Sequence, residues 1–226
     1  MANASTTGFG LRAVMTVGNT PATSGQSEYK IQTAPGVASN KGDTMSINDG
    51  GATAGDAGKV QDASFTTTDD GGNGGTAWTT ANSALLIGVF NGAFFIDSNG
   101  KPTFSNNVVA SQATSIDYNT GSNDIIAFIN DNPDQEYVVK ADAQLAGTVA
   151  GAQALLGAAN AMNMNNYTAT SNKDGQSIST LRKTGADAHS QFRLVRSAED
   201  PENKDLSAAG ANIIVTFLPA SNLYNA

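Results

Sequence analysis

The chain predicts a mostly-β protein, a barrel or sandwich with at most one or two short helices, and three observations carry that prediction. The first is the run ALLIGVFNGAFFID at residues 84–97. It holds Leu85, Leu86, Ile87, Val89, Phe90, Phe94, Phe95 and Ile96 in an otherwise polar chain. Aromatic and β-branched residues with Gly88 and Gly92 between them suit a bulged long strand or a buried strand pair better than a helix. The second is a succession of short alternating segments separated by turn formers. The third is composition: of 226 residues 39% are hydrophobic but only 14% charged, so Asn, Ser, Thr and Gly must finish the surface. That is the habit of sheet-and-loop proteins exposed on assemblies. The length fits one such domain.

Taken in order, residues 1–30 read as an N-terminal arm. Small and polar residues dominate, with an apolar knot of Phe9, Leu11, Val14, Met15 and Val17. Alone it buries too little to offset ordering, which predicts mobility until it docks on a partner. The competing reading is an edge strand of the domain that residues 31–226 form. Residues 31–83 are cut by turns at 34–36, 41–43, 49–51 and 69–75, with strands expected at 45–48 and 59–68. The acidic, glycine-rich 69–75 run lacks calcium-loop spacing and reads as an exposed loop. The dipeptide Asn99-Gly100 predicts a two-residue hairpin turn. Pro102, Phe104, Val108 and Val109 then form the returning strand.

Strands are also expected at 123–130 and 136–140, joined by the turn formers of 131–134. Residues 142–166 are ambiguous. Leu145, Val149, Ala152, Leu156, Ala159 and Met162 recur at helical spacing, but Gly147, Gly151 and Gly157 each cost up to about 1 kcal/mol in a helix. A short helix or irregular rim is expected, with strand resuming near 162–169. Segments 176–181, 191–196 and 211–218 close the chain as strands, the last stopped by Pro219.

Little in the chain suggests catalysis. His189 is the sole histidine, and a loop histidine is most often solvated. There is no nucleophile elbow, phosphate loop or zinc-protease motif, and Gly8-Phe9-Gly10 lacks the strand and third glycine of a dinucleotide fingerprint. Asp97, Asp117, Asp124 and Asp131 could be paired as glycosidase carboxylates, yet each sits where turns favour Asp. No enzyme and no cofactor is expected. Without cysteine, disulfides and thiolate metal sites are excluded. A net charge of −8 argues against nucleic-acid binding. No apolar run approaches the roughly 18 residues of a membrane span, and the first residues lack the apolar core of a secretory leader. A protein made in a cytoplasm and soluble until it meets its partner is the expectation. On the strand at 191–196, Arg193 and Arg196 alternate outward, either as a solvated face or as a pair for an acidic partner.

Several segments resemble capsid decoration, or cement, proteins of tailed bacteriophages, with the flavour of phages of marine and freshwater bacteria, cyanophages included. They are MANASTTGFGLR at the start, GVFNGAFFIDSNGKPTFSNN at 88–107, AFINDNPDQEYVVKAD at 127–142, NKDGQSISTLRK at 172–183 and QFRLVRSAEDPENKDLSAAGANIIVTFL at 191–218. The resemblance implies a β-barrel on the outer surface of an icosahedral head. It would be a homotrimer that bridges neighbouring major capsid subunits and binds neither nucleic acid nor membrane. The candidate capsid contacts are Phe9, Leu11, Arg12 and Val14 of the arm, with Arg193 and Arg196. A host- or glycan-binding module of the virion is the alternative, its cue the Asn/Gly/Thr-rich 31–80 region.

Overall fold

A computed structural model describes residues 3–17, 20–21, 25–31, 38–47, 58–63, 86–97, 99–108, 125–155, 161–165, 174–183 and 191–224. The chain is mostly β, as its composition predicts. Its strands are β1 (Arg12–Thr16), β2 (Thr20–Pro21), β3 (Gln26–Lys30), β4 (Ser39–Asn40), β5 (Thr44–Ile47), β6 (Val60–Asp62), β7 (Leu86–Ile96) and β8 (Pro102–Ser105). They continue as β9 (Asn107–Val108), β10 (Ile126–Asn130), β11 (Gln135–Lys140), β12 (Ala161–Asn165), β13 (Thr180–Lys183), β14 (Phe192–Ser197) and β15 (Asn212–Phe217). The Ala-rich piece contributes one short helix, α1 (Val149–Leu155).

The strands build two large antiparallel sheets. The first runs β13-β12-β14-β15-β11-β1-β2, and the second β3-β10-β7-β5-β6 with β8 also on β7. A parallel bridge between Ile31 and Val60 ties the two outer strands of the second sheet together, so that sheet curls. Its inside holds one core of Met45, Val60, Phe90, Ala93, Phe95, Ile125 and Ile129 among others. A second core lies between the sheets and collects Leu11, Leu86, Val89, Tyr137, Leu181, Phe192, Leu194, Val215 and Phe217. Tyr137, Phe217 and Phe192 pack ring to ring within it, at centroid distances of 5.6 and 4.9 Å.

Strand β7 joins the two cores. Its pairing slips between Met45 and Ser46 of β5 and between Phe128 and Ile129 of β10, so the strand is bulged twice. Each extra residue shifts the phase of the side chains that follow. Of the two readings of the 84–97 run, the bulged long strand is the one observed. The Asn-Gly turn differs from its expectation. Five positions, 97–101, separate the paired Ile96 and Pro102. The Asp97 carboxylate accepts N–H bonds from Asn99 (2.9 Å) and Lys101 (3.0 Å) and so holds a wider loop than two residues could make. Residues 176–179 form isolated bridges and extended chain ahead of β13, not a continuous strand. The 69–75 loop lies outside the described residues.

The leading segment is part of the fold, which corrects the arm expected over residues 1–30. Strand β1 sits between β11 and β2, and β3 pairs along β10. Residues 3–9 cross the outer face of the first sheet as a strap. Lys140, only 3% exposed, projects from β11 beneath it and donates to the carbonyls of Ser5 (3.0 Å) and Gly210 (3.1 Å). Asn3 Nδ2 donates to the carbonyls of Asp205, Ala208 and Ala209, while its Oδ1 accepts from the Asp205 amide. Gly210, at φ 84°, leaves the room that the Ser5 carbonyl fills. The partner that orders this segment is therefore the loop at 199–210 of the same chain. Replacing Asn3 by Ala strips three partly buried carbonyls of a donor, at roughly 1–2 kcal/mol. Hydrogen exchange should show the amides of Ala4 and Asp205 opening faster in that variant, with β7 and β10 unchanged.

Candidate functional site

The strap feeds into a cleft at the seam between β1 and the curled sheet. Gly10 turns the chain there at φ 68°, a conformation that a side chain disfavours. Its amide donates to Ser179 O (3.0 Å), and the next amide, Leu11, donates to Gly42 O (2.9 Å). This anchors Phe9 and Arg12 on either side of the turn. The Arg12 guanidinium lies 4.7 Å from the centre of the Phe9 ring and donates to Gln176 Oε1 at 2.9 Å. Behind them open about 450 Å³ of space, floored by Val89, Phe90 and Asn91 of β7 and Asn130 of β10. Gln26, Lys41, Gln135 and Gln176 complete the wall. That volume falls within the usual range for small-molecule sites.

Four of the six expected contact residues therefore meet at one place, though not as an arm. Phe9, Leu11, Arg12 and Val14 all line the cleft. Leu11 is only 3% exposed and belongs to the core between the sheets, so a partner surface cannot take it up. Arg193 is exposed on β14, three strands from β1 across the first sheet. Arg196 is committed within the chain. Its Nη2 sits 2.7 Å from the carboxylate of Glu136, itself 3% exposed. The β14 ladder slips between Leu194 and Arg196, which turns Arg196 onto the same face as Glu136.

A second feature went unseen in the sequence. On the outer face of the curled sheet, Phe104 of β8 is 76% exposed. Its ring lies 4.8 Å from that of Phe94 on β7 and 6.3 Å, stacked, from that of Phe128 on β10. Pairing of Phe94 with Phe104 and Ile126, and of Phe128 with Gly92, puts these rings on one side. The signal was present in Ile126-Ala127-Phe128-Ile129, which is apolar on both phases of the strand. A two-sided apolar strand has a second face to cover.

Buried polar groups elsewhere are structural. Asp43 is 1% exposed, and its Oδ2 accepts from the backbone amide (2.8 Å) and Nδ2 (3.1 Å) of Asn40. Burial pushes its carboxyl up to about 6, against the opposing pull of the Ser177 hydroxyl and the Asn40 donors. Burial likewise holds Lys140 below the ordinary lysine value, with Asp200 opposing. Of the carboxylates weighed for hydrolysis, Asp97 caps its loop and Asp131 accepts from the Tyr29 hydroxyl at 2.7 Å. Asp117, Asp124 and His189 lie outside the described residues. Among the described residues, no cluster of three or more His, Asp or Glu side chains could hold a metal ion. No helix among them is long and apolar enough to cross a membrane.

No protein-family model matches the chain, and no curated protein or solved structure is significantly similar to it.

Three variants probe the buried carboxylates Glu136 and Asp43. Arg196→Gln leaves the Glu136 carboxylate without its cation and should cost roughly 1–3 kcal/mol in urea unfolding. Adding Glu136→Gln should restore most of it. For Asp43, folding raises the pKa from 3.8 to about 6, so the native state holds an extra proton between those values. Its contribution is most favourable below the unfolded pKa, falls as pH rises through the folded one, and is flat above. Asp43→Asn should therefore gain stability over the natural chain as pH rises from about 4 to about 7, with a slope of at most about 1.4 kcal/mol for each step of one in pH. Urea midpoints across that range measure it.

Proposed function

We propose that this protein is a virion structural protein that decorates the outside of a tailed-phage head, as a homotrimer bridging neighbouring major capsid subunits. The observation that carries this reading is the Phe94–Phe104–Phe128 face. Exposing a stacked aromatic ring on a rigid three-strand platform wastes its burial energy unless another protein covers it. Aromatic side chains on a pre-formed surface are what protein interfaces concentrate their binding energy in. The likeness of the segments at 88–107, 127–142 and 191–218 to cement proteins points to a capsid lattice as the surface covered.

In this reading the fastening element is the face of β7, β8 and β10, and the leading strap stiffens the domain that carries it. Repetition of the site over a head makes a modest single contact sufficient. The polar, weakly charged exterior would face solvent on the far side.

Phe104→Ser removes the most exposed ring without disturbing either core. It should leave the melting temperature within a few degrees and weaken head binding at least about tenfold in co-sedimentation with stripped heads. Equal binding by the natural chain and the variant would overturn the assignment of this face. Failure of the natural chain to bind heads at all would overturn the function.

A further inference from the structure

We propose that the seam cleft is a binding site for a carboxylate-bearing sugar, such as a terminal uronic acid of a glycan. The lining carries the case. The chain holds 20 acidic against 12 basic residues, yet among the described residues the cleft is lined by two cations, Arg12 and Lys41, and by no carboxylate. In a chain of net charge −8, that is a local reversal of sign, and an anion is the complementary occupant. Around the cations stand five carboxamides, Gln26, Asn91, Asn130, Gln135 and Gln176. Gln135 Nε2 is already committed to the carbonyls of Met15 and Glu136, and Gln176 Oε1 to Arg12. Gln26, Asn91 and Asn130 each offer a donor and an acceptor, the combination that neighbouring sugar hydroxyls satisfy and a bare inorganic anion does not need.

The Arg12 guanidinium is held in place before any ligand arrives, and the Lys41 backbone is anchored beside it. Arg12 is stacked on Phe9 and tied to Gln176, and its remaining guanidinium N–H groups have no carboxylate partner among the described residues. A planar guanidinium accepts a carboxylate in bidentate fashion. Lys41 is fixed through its backbone: its amide donates to Asn106 O (2.8 Å), and its carbonyl accepts from the Ser177 amide (2.9 Å). Pre-positioned donors lose less freedom on binding. Phe9 and Val14, both half-buried, supply apolar surface against which the carbon face of a sugar ring can lie. The cleft borders the Phe94–Phe104–Phe128 face at Asn91 but shares none of its rings, so sugar binding and head docking are read by different variants.

The test is calorimetry and amide chemical-shift mapping on the full chain with three probes: a trigalacturonate, the corresponding neutral trigalactose, and inorganic phosphate. Trigalacturonate should bind at least about tenfold more tightly than either other probe, with shifts centred on Arg12, Asn91 and Gln176. Arg12→Gln should lower that affinity at least about tenfold, Arg12→Lys less, and Arg193→Gln should leave it unchanged. If Arg12→Gln loses its fold by circular dichroism, Lys41→Gln at the rim provides the same comparison. Binding of phosphate as tight as that of trigalacturonate would reduce the site to a general anion patch and overturn the proposal. So would equal binding of the neutral sugar, equal loss in Arg193→Gln, or no binding of any probe. A chain that binds heads but no trigalacturonate would refute this inference alone.

Discussion

Strand β7 has to be buried on both of its faces, and the rest of the architecture follows from how that is done. Leu86 and Val89 point into the core between the sheets, whereas Ile87, Phe90, Ala93 and Phe95 point into the interior of the curled sheet. A strand with strict two-residue alternation cannot feed both cores and then present Phe94 outward. The two bulges supply the phase shifts. Gly88 allows the closest approach: a side chain there would meet the backbone carbonyl of Asn130. Gly92, at φ 137°, takes a conformation that ordinary residues avoid. The glycines that look like weak points in an apolar strand are what let it serve two interiors.

The leading strap depends on a different kind of constraint, the satisfaction of polar groups at a sheet face that would otherwise be open. Lys140 and Glu136 lie on the outward side of β11, each 3% exposed, so each needs a counterpart. Lys140 finds the Ser5 and Gly210 carbonyls, and Glu136 finds Arg196. Asp200 knits the loop above them, accepting from Glu202, Asn203 and Asn212. Neutral carbonyls around Lys140 and hydrogen-bond donors around Asp200 let both charges persist near a protein surface at modest cost. The outer face of the first sheet is thus finished by polar chain from its own ends. The outer face of the curled sheet carries the rings of Phe94, Phe104 and Phe128 instead, and this asymmetry distinguishes the two outer faces.

Much of the strand order was legible in residues alone. Period-two alternation, the 84–97 run and the Asp-Asn-Pro-Asp connector mark strands whose existence follows from local preference and turn chemistry. The fate of residues 1–30 was not legible. A small, polar segment reads as mobile unless something distant holds it, and Asn3 bonds to residues some two hundred positions away. Arg196 looked like a free cation because its partner, Glu136, is sixty residues back and on another strand. Leu11 looked available because local sequence does not reveal which apolar residue a long-range sheet encloses.

What the sequence determined by itself is the class of fold and the supply of chemistry: mostly β, sparse in charge, with no thiol and a single histidine. These follow from composition and from interactions within a few residues, which act in any context. Tertiary structure alone decided that Phe9, Arg12, Lys41 and Gln176 share a cleft, and that Phe94, Phe104 and Phe128 form one exposed face. Both groupings depend on strand register and on the two bulges in β7. Register is set by the burial of whole sheets against each other, a property no single stretch of chain carries.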